Sequence, residues 1–165
     1  MKRSKSGYRQ KSRDLARGTT STGTRCTNVQ FVDTNILIYS ISGDPEERDK
    51  AERANQILAV GDLGLSAQVL QEFYVQATRE NRPGRLTHER AAGLVESFSR
   101  FPVQAITVGI VEAALATRDR FQISYWDAAI LEAARSLGCE TVLSEDLGDG
   151  QDYAGVAVRN PFRPG

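Results

Sequence analysis

The sequence predicts an α/β domain: a three-layer αβα arrangement with a mostly parallel central sheet and helices on both faces. Three observations lead there. Short apolar runs of strand length recur at residues 29–32, 63–65, 102–107, 140–144 and 156–158. Between them lie longer stretches whose apolar residues repeat at helical spacing. Strands that alternate with helices in this way are joined by parallel crossovers. The chain of 165 residues suits one domain with a sizeable core, and no internal repeat divides it.

In chain order, the first strand stops at Asp33, and residues 36–41 form a short helix ended by Ser42-Gly43. Asp44-Pro45-Glu46-Glu47 starts a second helix, with Asp as cap, Pro at the first position and acids at the positive end of the dipole. It runs to about Val60 through Ala51, Ala54, Ile57 and Leu58, and Gly61 closes it. After the short strand at 63–65, Ser66 caps a helix reaching about Glu80, with Val69, Leu70, Phe73 and Ala77 inward. Asn81-Arg82-Pro83-Gly84 breaks the pattern, and Thr87 opens a helix to about Arg100. The strand at 102–107 precedes helices over 109–118 and 124–137, the latter stopped by Gly138. The strands at 140–144 and 156–158 complete the set.

Composition excludes several kinds of chemistry. No apolar run approaches the length of a membrane span, and no signal-peptide hydrophobic segment follows the basic start, so a cytoplasmic protein is expected. Cys26 and Cys139 lack metal-ligand spacing, and His88 is the only histidine, which disfavours a His-rich zinc site or a Ser-His-Asp triad. The formal charge of zero hides an asymmetry. Residues 1–28 carry eight Lys or Arg against one acid, which leaves a net −7 on residues 29–165. This basic segment has the composition of a disordered extension and is set apart from the folded domain at 29–165. It reads either as a nucleic-acid-binding arm or, preferably, as an extra start.

Four carboxylates stand where chemistry is expected. Asp33 follows the first strand, at the carboxyl end where open α/β sheets bind ligands, although Asp is also a favoured helix cap. Glu72 lies among core residues of the helix after the second strand. Asp127 occupies the first turn of Ser124-Tyr125-Trp126-Asp127, beside the only tryptophan, where Ser-x-x-Asp also resembles a capping box. Asp146 follows the strand at 140–144, and its neighbour Glu145 is expected to face solvent. Four converging carboxylates would repel one another, raising some above the ordinary titration range unless hard cations such as Mg²⁺ or Mn²⁺ intervene. Two such ions about 4 Å apart can activate water and stabilise an in-line phosphoryl displacement.

The segments Phe31-Val32-Asp33-Thr34-Asn35-Ile36-Leu37, Gln71-Glu72-Phe73, Ser124-Tyr125-Trp126-Asp127-Ala128-Ala129-Ile130 and Leu143-Ser144-Glu145-Asp146-Leu147 together resemble a PIN-domain ribonuclease. The likeness spans about residues 29–162 and is greatest to VapC-type toxins of toxin–antitoxin pairs. It implies a Mg²⁺- or Mn²⁺-dependent endoribonuclease with Asp33, Glu72, Asp127 and Asp146 as the acidic metal site. Asn35, Ser144 and Thr34 would support it by hydrogen bonding. Asp33 and Asp127 would be the main ligands, Asp146 would complete the site, and Glu72 would hold a water or a second ion. The resemblance also implies an RNA substrate, a cognate antitoxin protein and a homodimer; the basic extension has no counterpart in it. Arg79, Arg82, Arg85, Arg118 and Arg120 are candidates for phosphate contact. Two alternatives remain open: a non-cleaving PIN-like module that binds RNA or protein, and a haloacid-dehalogenase-like phosphatase. The phosphatase needs a second Asp two positions after the first, where this chain has Asn35.

Overall fold

A computed structural model describes residues 29–163; the basic extension lies outside the described residues. Five parallel strands form one sheet in the order β3-β2-β1-β4-β5. They are β1 (Gln30–Val32), β2 (Leu63–Ser66), β3 (Val103–Gln104), β4 (Thr141–Leu143) and β5 (Ala157–Arg159). The helices are α1 (Thr34–Ser40), α2 (Arg48–Val60), α3 (Ala67–Ala77), α4 (His88–Phe98), α5 (Val108–Phe121) and α6 (Tyr125–Ser136). Helices α1 to α4 pack as one linked set, with α1 between α2 and α3. Helices α5 and α6 pack on each other, and α6 lies over β2, β3 and β4. The αβα expectation is met.

Local chemistry sets the element ends. Ser66, Thr87, Thr107 and Ser124 each accept a backbone N–H from three residues on, and so start α3, α4, α5 and α6. Asp44 caps a 3₁₀ turn at Pro45–Glu47, so α2 proper begins three residues later than its Asp-Pro signal suggests. Helix α2 ends at Gly61, whose φ of 90° suits a residue without Cβ. Helix α1 begins at Thr34 rather than Ile36, because Asp33 caps it. The strand expected over 102–107 shrinks to two residues: Thr107 turns away to cap α5, and Pro102 contributes only its carbonyl, to Leu65 N–H. Helix α5 runs to Phe121, beyond the expected Arg118, and stops where Gln122 takes a left-handed φ of 54°.

The sheet's inner residues are closed from water. Phe31, Val32, Leu65, Val142 and Val158 are fully buried, with Ile36, Leu37, Phe73 and Leu131 packed around them. Burying each such side chain contributes about 1.5–3 kcal/mol. Phe73 meets Phe98 edge to face at 5.2 Å, tying α3 to α4. Gly64, in β2, lets the C-terminal end of α6 approach: a Cβ there would lie 3.0 Å from Leu137 Cδ1 and 3.2 Å from Cys139 Sγ. Among the described residues, no helix is long and apolar enough to cross a membrane.

Candidate active site

The chain runs from β1 to β2 on one side and later returns to place β4 on the other, so β1 and β4 flank a topological switch point. Register aligns Val32 with Leu143, which brings the residues after both strands together. Asp33 N–H donates to Leu143 carbonyl at 3.0 Å, and Ser144 Oγ donates to Asp33 Oδ2 at 2.7 Å. The other carboxylate oxygen, Oδ1, accepts Thr34 N–H at 2.6 Å. The capping role of Asp33 is therefore real, and the same carboxylate lines a cleft of about 280 Å³.

The remaining acids reach that cleft from other elements. Glu72, in the second turn of α3, accepts Thr34 Oγ1 at 2.9 Å and Gln68 Nε2 at 3.0 Å. Asp127 gives its N–H to Ser124 Oγ at 3.1 Å, while its carboxylate makes no hydrogen bond among the described residues. Only half of the capping box is thus formed. Asp146 follows β4, with its N–H on Ser144 Oγ at 3.2 Å and its Oδ2 accepting Asn35 Nδ2 at 3.4 Å. Asp33, Glu72, Asp127 and Asp146 all line the one cleft, with Thr34 and Asn35; Ser144 is fully buried behind Asp33.

Burial pushes the Asp33 carboxyl up to about 6. The hydrogen bonds from Ser144 and Thr34 pull it down, and the charges of Asp146 and Glu72 raise it. The elevation expected from clustered acids is present at Asp33, but desolvation rather than mutual repulsion is its chief cause.

One reading of the sequence needs correction. Glu145, expected in solvent, lines the cleft, where Lys50 Nζ pairs with it at 2.7 Å and the Tyr39 hydroxyl donates to it. Lys50 also reaches Tyr39 Oη at 2.8 Å, and the bond to Glu145 raises its ammonium above the ordinary lysine range. Nothing local signals this pair, since 95 positions separate its members. Gln68 and Gln76 were also overlooked. They stand four residues either side of Glu72, on the same helical face, and that spacing could have found them. Gln76 joins the cleft to a shallow groove that it lines with Arg79, Asn81 and Arg82. Arg85, Arg118 and Arg120 are exposed and line neither.

The donor set is all oxygen and suits a hard divalent ion rather than a soft one. Asn35 Oδ1 is buried with no hydrogen-bond partner in the same region, a further acceptor left unused. Among the described residues, however, no three acidic, histidine or cysteine groups are already gathered tightly enough to hold an ion.

A parallel sheet covered on both faces, with acids converging past its central strands, defines an α/β protein with an acid-lined cleft. The PIN domain family model matches residues 31–148, and the chain belongs to that family. This decides against the haloacid-dehalogenase-like alternative. Its fold is shared with a toxin–antitoxin complex from Klebsiella pneumoniae, at TM-score 0.59 and 24% identity over 82% of this chain and 99% of that one. It is also shared with the sarcin–ricin loop cleaving toxin VapC20 of Mycobacterium tuberculosis (TM-score 0.53, 22% identity, 71% and 91% covered). DNA-bound VapBC from Salmonella typhimurium is similar too, at TM-score 0.56 and 24% identity over 80% and 97%. A search of curated protein sequences gave no match.

Proposed function

We propose that this PIN-domain protein is a Mg²⁺- or Mn²⁺-dependent endoribonuclease and the toxin of a toxin–antitoxin pair. The observation that carries the reading is the arrival of Asp33, Glu72, Asp127 and Asp146, from four separate elements, in one cleft at the carboxyl ends of β1 and β4. Few folding needs are met by placing four acids together, whereas phosphodiester hydrolysis by metal assistance needs them. Of the solved structures named above, that from Klebsiella pneumoniae is a toxin–antitoxin complex and VapC20 is a sarcin–ricin loop cleaving toxin.

Asp33 and Asp127 would hold the ion, with Asp146 and Glu72 completing the oxygen set. When bound, the ion supplies a more acidic water and positive charge for the phosphate oxygens. Ser144 and Thr34 orient Asp33 and Glu72 through the hydrogen bonds described, so that neither carboxylate must be ordered at the moment of reaction. Gln68 fixes the second oxygen of Glu72. Arg79 and Arg82, beside the cleft, would contact flanking phosphates and offset the acidic field that an RNA strand meets. An antitoxin protein would be the partner, and a homodimer the assembly.

The loose spacing of the acids favours one rival, a PIN-like module that binds without cutting. Cleavage of labelled RNA, titrated with Mg²⁺ and Mn²⁺ and repeated with Asp127→Asn, separates the two. Metal-dependent cutting lost in the variant is the expected result; no cutting at any metal concentration would leave the binding module.

A further inference from the structure

Resting on the nuclease reading, we infer that the Trp126 indole is a stacking platform for a nucleobase next to the scissile phosphate. Trp126 is the only tryptophan in the chain, and 61% of it is exposed. A residue of this size is ordinarily a large contributor of buried area, and the fold makes little use of it. It lines the acid cleft rather than a remote surface, and it directly precedes Asp127 in the first turn of α6.

One contact holds its backbone and another meets its ring. The Trp126 carbonyl accepts Gln68 Nε2 at 3.4 Å, and the same amide holds Glu72, so the tryptophan backbone and an acid of the cleft share one anchor. Tyr125 stands edge-on to the indole at 5.3 Å and 74°, and packs in turn on the small buried cluster of Ala114, Ala128 and Ala129. A solvent-facing aromatic surface one residue from a cleft carboxylate matches a nucleotide, whose base and phosphate lie one sugar apart. Every base has a face to stack, but only an unpaired one can leave its neighbours to do so. A protein partner is the weaker occupant, because the rest of the cleft lining is mainly polar or acidic and offers no continuous apolar strip.

The test uses the full chain and its single tryptophan as reporter, in chelator and again with Ca²⁺ in place of Mg²⁺. A short single-stranded oligoribonucleotide should quench the indole emission, and the same strand annealed to its complement should leave it nearly unchanged. Trp126→Ala should weaken single-strand binding, followed by anisotropy of labelled RNA, about tenfold to a hundredfold, and Trp126→Phe should restore most of it. Both variants should melt with the parent and keep its Mn²⁺-dependent stabilisation. Single-strand binding by Trp126→Ala at the parent affinity overturns the inference, as does equal quenching by duplex. Unchanged RNA binding with an altered oligomeric state also overturns it, and makes the indole a protein contact. The readouts separate this inference from the function it rests on. A chain that quenches but never cuts removes the nuclease reading alone, whereas Trp126→Ala cutting at the parent rate and KM removes only the stacking role.

Discussion

The Ser144 hydroxyl lies 2.7 Å from Asp33 Oδ2, across 111 positions of sequence, and is fully buried. Ser144 Oγ also accepts the N–H groups of Asp146 and Leu147, so one side chain fixes both the first acid and the loop that carries the last. Ser144→Ala would leave a buried carboxylate and two turn N–H groups short of partners. We expect a loss of about 1–3 kcal/mol in urea unfolding, together with reduced affinity for Mn²⁺. Parent stability in the variant would show that water replaces the hydroxyl without cost.

Asp33 should make apo stability depend on pH. The folded chain holds its proton up to about pH 6, whereas the unfolded chain releases it near the ordinary aspartate value of 3.8. The native state therefore binds more protons in between, and stability from this group is present at low pH and lost as pH rises through 6. In chelator, the parent-minus-Asp33→Asn difference in unfolding free energy should fall by on the order of 3 kcal/mol across that window. A flat difference would mean that the carboxyl titrates normally.

Metal should reverse that trend for the parent. On the proposed function Mn²⁺ would bind the native acids and scarcely the unfolded chain, so it should raise the melting midpoint and release protons. Asp127→Asn should start from the parent's apo midpoint, since Ser124 rather than Asp127 does the capping, and should gain far less from the ion. Equal gains in both proteins would remove Asp127 from the donor set.

Lys50→Met should be mild in stability and visible in salt dependence. The pair with Glu145 is partly exposed, at 39% and 21% for the two side chains, so screening limits its contribution to at most about 1 kcal/mol. Thermal melts at low and high salt should show the parent losing that margin while the variant does not.

Gly64→Ala tests the packing behind the site. The added methyl would press on Leu137 and Cys139, at a cost of about 1–3 kcal/mol by chemical denaturation. Stability equal to the parent would show that the flexible Leu137 end moves aside freely.

Much of this was legible in the sequence because its signals are local. Asp33 and Asp146 each follow a short apolar strand, and Ser66, Thr87 and Ser124 announce their helices within one turn. Those signals place four acids near strand ends or in helix turns, and the topology does the rest. What escaped was long-range or unsignalled. Lys50 finds Glu145 only through the fold, Gln122 ends α5 in a left-handed conformation that glycine usually marks, and Thr107 shortens β3 by serving the next helix.

The central position of β1 has a consequence for synthesis. During translation β1, β2 and β3 emerge first, and one edge of β1 remains open until β4 arrives after α6. Asp33 has no Ser144 to hold it, and no Asp146 beside it, until that late insertion. A nascent chain on the ribosome thus carries an incomplete cleft until β4 and the loop that follows it have been made and docked.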